Sequence, residues 1–270
     1  MREFLRLMGV LVLAGGMCAG QVGPPVCVVP GARQSGGTQV QATRSTAAAI
    51  RATAEEEAAD PTVMLAAEPM PNFGVERFRI EDYAECVGES GCYWADLDAQ
   101  WVRAEAALDR VLKTRREGEK LAIVLDIDET SLTNYCEMKR EDYGYLGSMY
   151  NEWLTSPASA TAIPGALRFY NKARDAGVEV FFITGRGDEL RQATERNLTA
   201  AGYKGWKGLA LRTGPQKTMS TIDYKSEERQ KIVADGYRIV MSVGDQWSDL
   251  KGTAKAEISV KLPNPFYYLP

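Results

Sequence analysis

"LAIVLDIDETSLTNY", residues 121–135, joins an apolar run to a cluster of acids. Five apolar residues, Leu121 to Leu125, lead straight into Asp126, Asp128 and Glu129, and then into the hydroxyls of Thr130 and Ser131. An apolar run of this length reads as a strand buried on both faces of a sheet. Carboxylates at the end of such a strand lose water, so they need partners or a cation.

The chain around this stretch alternates in kind. Residues 93–116 place Leu97, Trp101, Ala104, Leu108, Val111 and Leu112 at helical spacing, with a basic last turn that suits the helix dipole. After the strand at 121–126 come a helix at 165–175, the strand "VEVFFIT" at 178–184, and a helix at 188–201 ended by Gly202. A short strand at 208–212, a helix at 225–235 ended by Gly236 and the strand "YRIVMSVGD" at 237–245 complete the pattern. The pattern predicts an α/β fold, a Rossmann-like parallel sheet flanked by helices, with a small helical cap and an N-terminal helical element.

In open sheets of this kind the ligand lies beyond the carboxyl ends of the strands. Three strands here end in polar signatures, "DIDET", "TGR" and "GDQWSD". Asp126 and Asp128 are two residues apart, so they are expected on one side, where their repulsion calls for a cation between them; Asp245 supplies a third ligand. An all-oxygen set suits a hard ion that keeps several waters, which points to magnesium, Mg2+.

Composition limits the chemistry further. The 270 residues are 45% hydrophobic and 25% charged, which fits one globular domain with an extension. Net charge is −4 and the Lys and Arg are scattered, so no nucleic acid partner is expected. There is no histidine, which removes Ser-His-Asp and Cys-His catalysis, phosphohistidine chemistry and His-ligated metals. Any catalysis must run on carboxylates, lysine or a metal.

Residues 1–20 read as a signal peptide: Arg2 and Arg6 precede an apolar stretch from Leu7 to Met17, too short to span a membrane. The expected destination is therefore outside the cytoplasm, periplasmic or secreted. Lipid anchoring through Cys18 is not favoured, because Gly15-Gly16-Met17 lacks the expected order before it. Residues 21–71, rich in Gly, Ala, Thr and Pro, read as a disordered linker, and the main domain as 72–270. "CVVPGAR", Cys27 to Arg33, satisfies C-x5-R but lacks the flanking strand and helix that thiolate chemistry on phosphate requires. Beyond the leader remain Cys27, Cys86, Cys92 and Cys136, reduced or paired in any of three connectivities, with Cys86–Cys92 the best-placed pair.

"VLDIDET", "FFITGR", "DYKSEER" and "GDQWSDL" occur in the order and spacing of the four motifs of the haloacid dehalogenase superfamily. The closing "KLPNPFYYLP" resembles the end of its subfamily III acid phosphatase branch, which includes plant acid phosphatases and vegetative storage proteins. The resemblance implies a magnesium-dependent phosphomonoesterase acting on a small-molecule phosphomonoester, or a catalytically weak storage or binding protein of the same fold. It implies Asp126 as nucleophile and Asp128 as general acid and base. Magnesium would be held by the carboxylates of Asp126 and Asp245 and the main-chain carbonyl of Asp128. Thr184 would bond a phosphate oxygen, or else serve as a helix N-cap. Lys225 would pair with phosphate and nucleophile, with Lys217 as its rival, and Asp249 would position Lys225 or a metal-bound water. Arg186 and Arg229 would stabilise carboxylates. The insertion at 132–163 carries Tyr135, Tyr143, Tyr145, Tyr150 and Trp153, rings that either stack on a leaving group or pack a small cap against the core.

Overall fold

The computed structural model describes Cys27, Val29, Met70, residues 72–88 and residues 91–269. The signal peptide expected at 1–20 lies outside the described residues, as does the linker expected at 21–71 apart from Cys27, Val29 and Met70. Five parallel strands form the sheet: β1 (Leu121–Leu125), β2 (Glu179–Gly187), β3 (Gly208–Arg212), β4 (Arg238–Gly244) and β5 (Ile258–Lys261). Their order is β3-β2-β1-β4-β5, which puts β1 at the centre. All five of its residues are buried, as the apolar run requires.

Alternation along β1 sorts its side chains between two layers. Leu121, Ile123 and Leu125 join the larger core, while Ala122 and Val124 join a smaller one with Tyr224 and Ile232. The larger core is covered by α2 (Tyr93–Lys113) and α5 (Pro164–Asp175). These helices touch through Trp101 and Phe169, with ring centroids 5.4 Å apart. Gly165 permits that approach, because a Cβ there would sit 2.7 Å from Trp101. The smaller core is covered by α7 (Thr221–Ala234).

Several boundaries differ from the sequence reading. Helix α1 (Phe73–Glu85) carries charges around its circumference and buries only Asp82 and Ala84, so it shows no apolar stripe to read. It is started by Asn72, whose side chain accepts the Gly74 N–H at 2.9 Å. Strand β2 continues through Gly187, so α6 (Arg191–Ala200) begins later than residue 188, after a 3-10 turn at Asp188–Leu190. Helix α7 starts four residues before Lys225, capped by the Ser220 side chain, which accepts the Asp223 N–H at 3.1 Å. The edge strand β5 is short and only half-buried, so it carries no apolar run.

The insertion between β1 and α5 holds α3 (Tyr135–Arg140), α4 (Gly147–Thr155) and a 3-10 turn at Pro157–Ser159. Its two ends are tied together: Thr133 N–H donates to Thr161 carbonyl at 2.9 Å, and Ile163 N–H to Ser131 carbonyl at 3.0 Å. Two disulfides are formed, Cys86–Cys92 and Cys27–Cys136, spanning 6 and 109 residues. On chain-entropy grounds the longer crosslink constrains the unfolded chain by roughly 5 kcal/mol and the shorter by roughly 2. Among the described residues no helix is long and apolar enough to cross a membrane.

Candidate active site

The carboxyl ends of β1 to β4 meet at a cleft of about 290 Å³, whose lining includes Asp126, Asp128, Arg186, Lys225 and Asp245. Asp126 follows the last residue of β1, with its N–H fixed to the Val243 carbonyl at 3.1 Å. Its Oδ1 accepts from Lys225 Nζ at 2.7 Å. Among the described residues no protein donor reaches its Oδ2. Lys225 also donates to Asp249 Oδ1, so one ammonium bridges two buried carboxylates. Burial works against the lysine's charge, yet Asp126 and Asp249 outweigh it and raise Lys225 above its ordinary value. Lys217, the rival, lies on the surface and pairs with Glu189 at 2.8 Å.

Asp245 closes the far side, at the end of β4. Its Oδ1 accepts from the Thr130 hydroxyl at 3.0 Å, and its Oδ2 from Gln246 Nε2 at 2.6 Å and Asn264 Nδ2 at 2.7 Å. Asp249 lies on the 3-10 turn Trp247–Asp249, where its Oδ2 accepts the Gln246 N–H at 2.8 Å. Gly244 leaves room for it, since any Cβ there would collide with the Asp249 side chain. Arg229 locks the same turn from below. It donates to the main-chain carbonyls of Asp249 at 2.8 Å, Ala254 at 2.7 Å and Lys251, so its partners are carbonyls and not the carboxylates expected of it.

Asp126, Asp245 and Asp249 each offer an oxygen within 4.8 Å of the others. Lys225 bonds two of these three buried carboxylates, and the surplus of negative charge shows in the proton affinities of Asp126 and Asp245. Burial first, and then neighbouring acids, push Asp126 well above the ordinary range and also raise Asp245, with Lys225 opposing. A hard divalent cation fits this donor set, all oxygen and short of positive charge.

Asp128 departs from the sequence picture. Its carboxylate does not face Asp126 across a shared cation; it is turned to Arg186, which donates from Nη2 to Oδ1 at 2.7 Å and from Nε to Oδ2 at 3.0 Å. Asn134 adds a third donor at 2.9 Å. Burial would raise the Asp128 carboxyl, but the Arg186 charge and these hydrogen bonds outweigh it and hold the group below its usual range. Arg186 does stabilise a carboxylate, as expected.

Thr184 is fully buried within β2 and does not line the cleft. It is no helix cap, because β2 runs on past it; its hydroxyl accepts the Arg186 N–H at 3.2 Å and orders the strand end. Of the five insertion rings, only Tyr145 and Tyr150 line the cleft. Tyr135 packs edge-on against Trp94, and Tyr143 stacks on Phe266. Trp153 donates to Asn134 Oδ1 at 2.9 Å.

Several site residues went unread in the sequence. Glu129 is fully buried with φ +51°, and it accepts from Asn134 N–H at 2.6 Å and from the Tyr267 hydroxyl at 2.7 Å. Burial, then the charge of Asp128, push it up to about 8 against these donors. Asn134 joins Asp128, Glu129, Tyr150 and Trp153. Asn264 brings the C-terminal segment to the site by bonding Asp245 while its Oδ1 accepts the Phe266 N–H at 2.8 Å. Asn134 and Asn264 lie in "LTN" and "LPN", stretches whose residue types suit a turn but indicate no contact.

The family model described as HAD superfamily, subfamily IIIB (Acid phosphatase) matches residues 43–270. The chain is 37% identical over 149 residues to Acid phosphatase 1 of Solanum lycopersicum, covering 54% of this chain and 58% of that protein. It is 39% identical over 156 residues to Stem 28 kDa glycoprotein of Glycine max, covering 56% and 61%. To Vegetative storage protein 1 of Arabidopsis thaliana it is 35% identical over 150 residues, covering 54% and 55%. The chain thus spans 55 to 61% of the length of these three curated relatives. In fold it is similar to the class C acid phosphatase from Bacillus anthracis solved with tungstate bound, with a TM-score of 0.57 and 22% identity over 72% of this chain and 86% of that one. With a family match over residues 43–270 and the motif order carried by one continuous parallel sheet, the chain belongs to the acid phosphatases of subfamily IIIB of the HAD superfamily.

Proposed function

We propose that this chain is an exported phosphomonoesterase that hydrolyses small phosphate esters through an aspartyl-phosphate on Asp126, with magnesium as its cation. The observation that carries this reading is Asp126 itself: a buried carboxylate with one oxygen pinned by Lys225 and the other open to the cleft. A pinned carboxylate meets phosphorus in a fixed orientation, which removes much of the entropic cost of attack.

In the first half, Asp126 Oδ2 bonds to phosphorus and the ester P–O bond breaks. Asp128 gives its proton to the departing oxygen. In the second half, a water attacks the same phosphorus, Asp128 takes its proton, and phosphate leaves with the Asp126 carboxylate restored. Lys225 holds the nucleophile and faces the phosphoryl oxygens as a point charge. The grip of Arg186 favours the ionised form of Asp128, so protonation of the leaving group is served best at low pH. Esters with acidic leaving groups need that proton least. Thr184 acts by ordering the Arg186 main chain. Asp126 and Asp245, with the main-chain carbonyl of Asp128, would hold the cation, and Asp249 would serve as a further ligand or stay with Lys225; the bound ion supplies positive charge to the phosphate oxygens.

Two disulfides suit an oxidising compartment and support export. The relative named a stem glycoprotein fits the same route. The test is hydrolysis of a generic aryl phosphate across pH 4 to 8, with magnesium or chelator, for the wild type and Asp126→Asn. The reading requires activity on the acid side that needs the cation and falls at least about 10³-fold in the variant. A folded, magnesium-loaded wild type that turns over no ester would favour the storage role named for the Arabidopsis relative.

A further inference from the structure

Three cations line the cleft: Lys225, Arg186 and Arg212. Lys225 is committed to Asp126 and Asp249, and Arg186 to Asp128. Arg212 is different. Its Nη1 donates to the main-chain carbonyls of Gln216 at 3.3 Å and Met219 at 3.1 Å, and its guanidinium lies 5.0 Å over the Tyr224 ring. Among the described residues no carboxylate pairs with it, and its Nε and Nη2 have no protein acceptor.

Neutral carbonyls and an aromatic face hold the guanidinium in place without cancelling its charge. The charge is therefore available to an anion in the cleft. Glu189, the acid on the same wall, does not compete, because Lys217 pairs with it at 2.8 Å. Arg212 ends β3, opposite Gly187 of β2, and β2 in turn neighbours β1. Two strand spacings separate its backbone from that of β1, roughly 10 Å. An anion held at Arg212, two strands away from Asp126, would be a second group of the ligand whose phosphate meets Asp126. Thr221, the first residue of α7, lies on this wall one helical turn before Lys225.

We propose that Arg212 forms a second anion subsite, so that the preferred ligands are phosphomonoesters carrying a carboxylate or second phosphate at the end remote from the reacting phosphate. This rests on the phosphomonoesterase reading for the first phosphate, but its test needs no turnover.

Calorimetry on the full, magnesium-loaded protein would compare 4-carboxyphenylphosphonate with its neutral methyl carboxylate ester, two non-hydrolysable compounds of nearly equal shape. The carboxylate is expected to bind about tenfold more tightly. The ratio should fall toward one in Arg212→Gln and be partly kept in Arg212→Lys. Should Arg212→Gln fail to fold, the lysine variant and the loss of the wild-type ratio at high salt carry the test. Benzene-1,4-diphosphonate, run in parallel, distinguishes a preferred second phosphate from a preferred carboxylate by whichever binds more tightly. A wild-type ratio near one, a ratio that survives in Arg212→Gln, or no binding of either compound overturns the subsite. Absence of hydrolysis in the aryl phosphate assay counts against the phosphomonoesterase reading alone.

Discussion

Asp126 and Asp128 are two residues apart on one loop, yet their surroundings have opposite charge balance. On the Asp126 side, three buried carboxylates lie together and one ammonium bonds two of them. On the Asp128 side, one carboxylate meets a two-pronged guanidinium and an amide donor. A surplus of negative charge asks for a cation from solution, whereas a balanced pair does not. The proposed reading accordingly puts the cation on the first side and proton transfer on the second.

The largest effect is expected from breaking the first side. Lys225→Met removes the one ammonium bonded to Asp126 and Asp249, at a cost of about 3–5 kcal/mol of folding stability in metal-free protein, measured by denaturant unfolding. Metal addition comes next. Magnesium at about 100 times its dissociation constant should stabilise chelator-treated wild type by about 3 kcal/mol. Asp249→Asn sharpens this: a reduced increment makes Asp249 a ligand, and an unchanged one leaves it as the partner of Lys225.

The second side should respond less to loss of its cation. In Arg186→Gln, Asp128 keeps Asn134 and some contact with water, so the expected cost is about 2 kcal/mol. Asp128 is depressed in the folded protein, so its contribution to stability is present above about pH 4 and is lost as pH falls through the lower folded value. The variant should lose that acid sensitivity. Its Asp128 also keeps a proton to higher pH, so the alkaline limb of kcat for esters with poor leaving groups should move upward.

A further prediction concerns Glu129, whose buried carboxyl faces the charges of both Asp128 and Asp245. Its carboxyl, raised from 4.5 to about 8, holds a proton in the folded protein where the unfolded chain has lost it. Its contribution to stability is full below about pH 4.5 and declines by about 1.4 kcal/mol per pH unit as pH rises toward 8. Glu129→Gln should flatten that slope in chelator-treated protein, as read by unfolding at pH 5, 6 and 7.

What the sequence made legible follows from burial. The strands β1, β2 and β4 are apolar runs because they lie at the centre of the sheet, and the acids after them are conspicuous for that reason. Edge strand β5 and helix α1 bury little and so carry no period. The start of helix α7 is marked by Ser220 and Asp223, a capping pair that stands ahead of any apolar face. Within the site, residue types identified the acids, but partner choice is a matter of three-dimensional direction. Nothing in "DID" says that Asp128 turns to an arginine 58 residues away, or that Asn264 reaches back to Asp245. The insertion rings show the same limit: five aromatics were visible, and only the fold divides the two in the cleft from the rest.

The most direct test of the central claim is chemical trapping at Asp126. Protein mixed with an aryl phosphate and magnesium, quenched and treated with borohydride, would reduce an acyl phosphate to the alcohol, and peptide mass analysis would locate it. The account predicts homoserine at position 126, only when substrate and magnesium are both present. Homoserine at another aspartate, or active enzyme with no reduced residue at all, would contradict it.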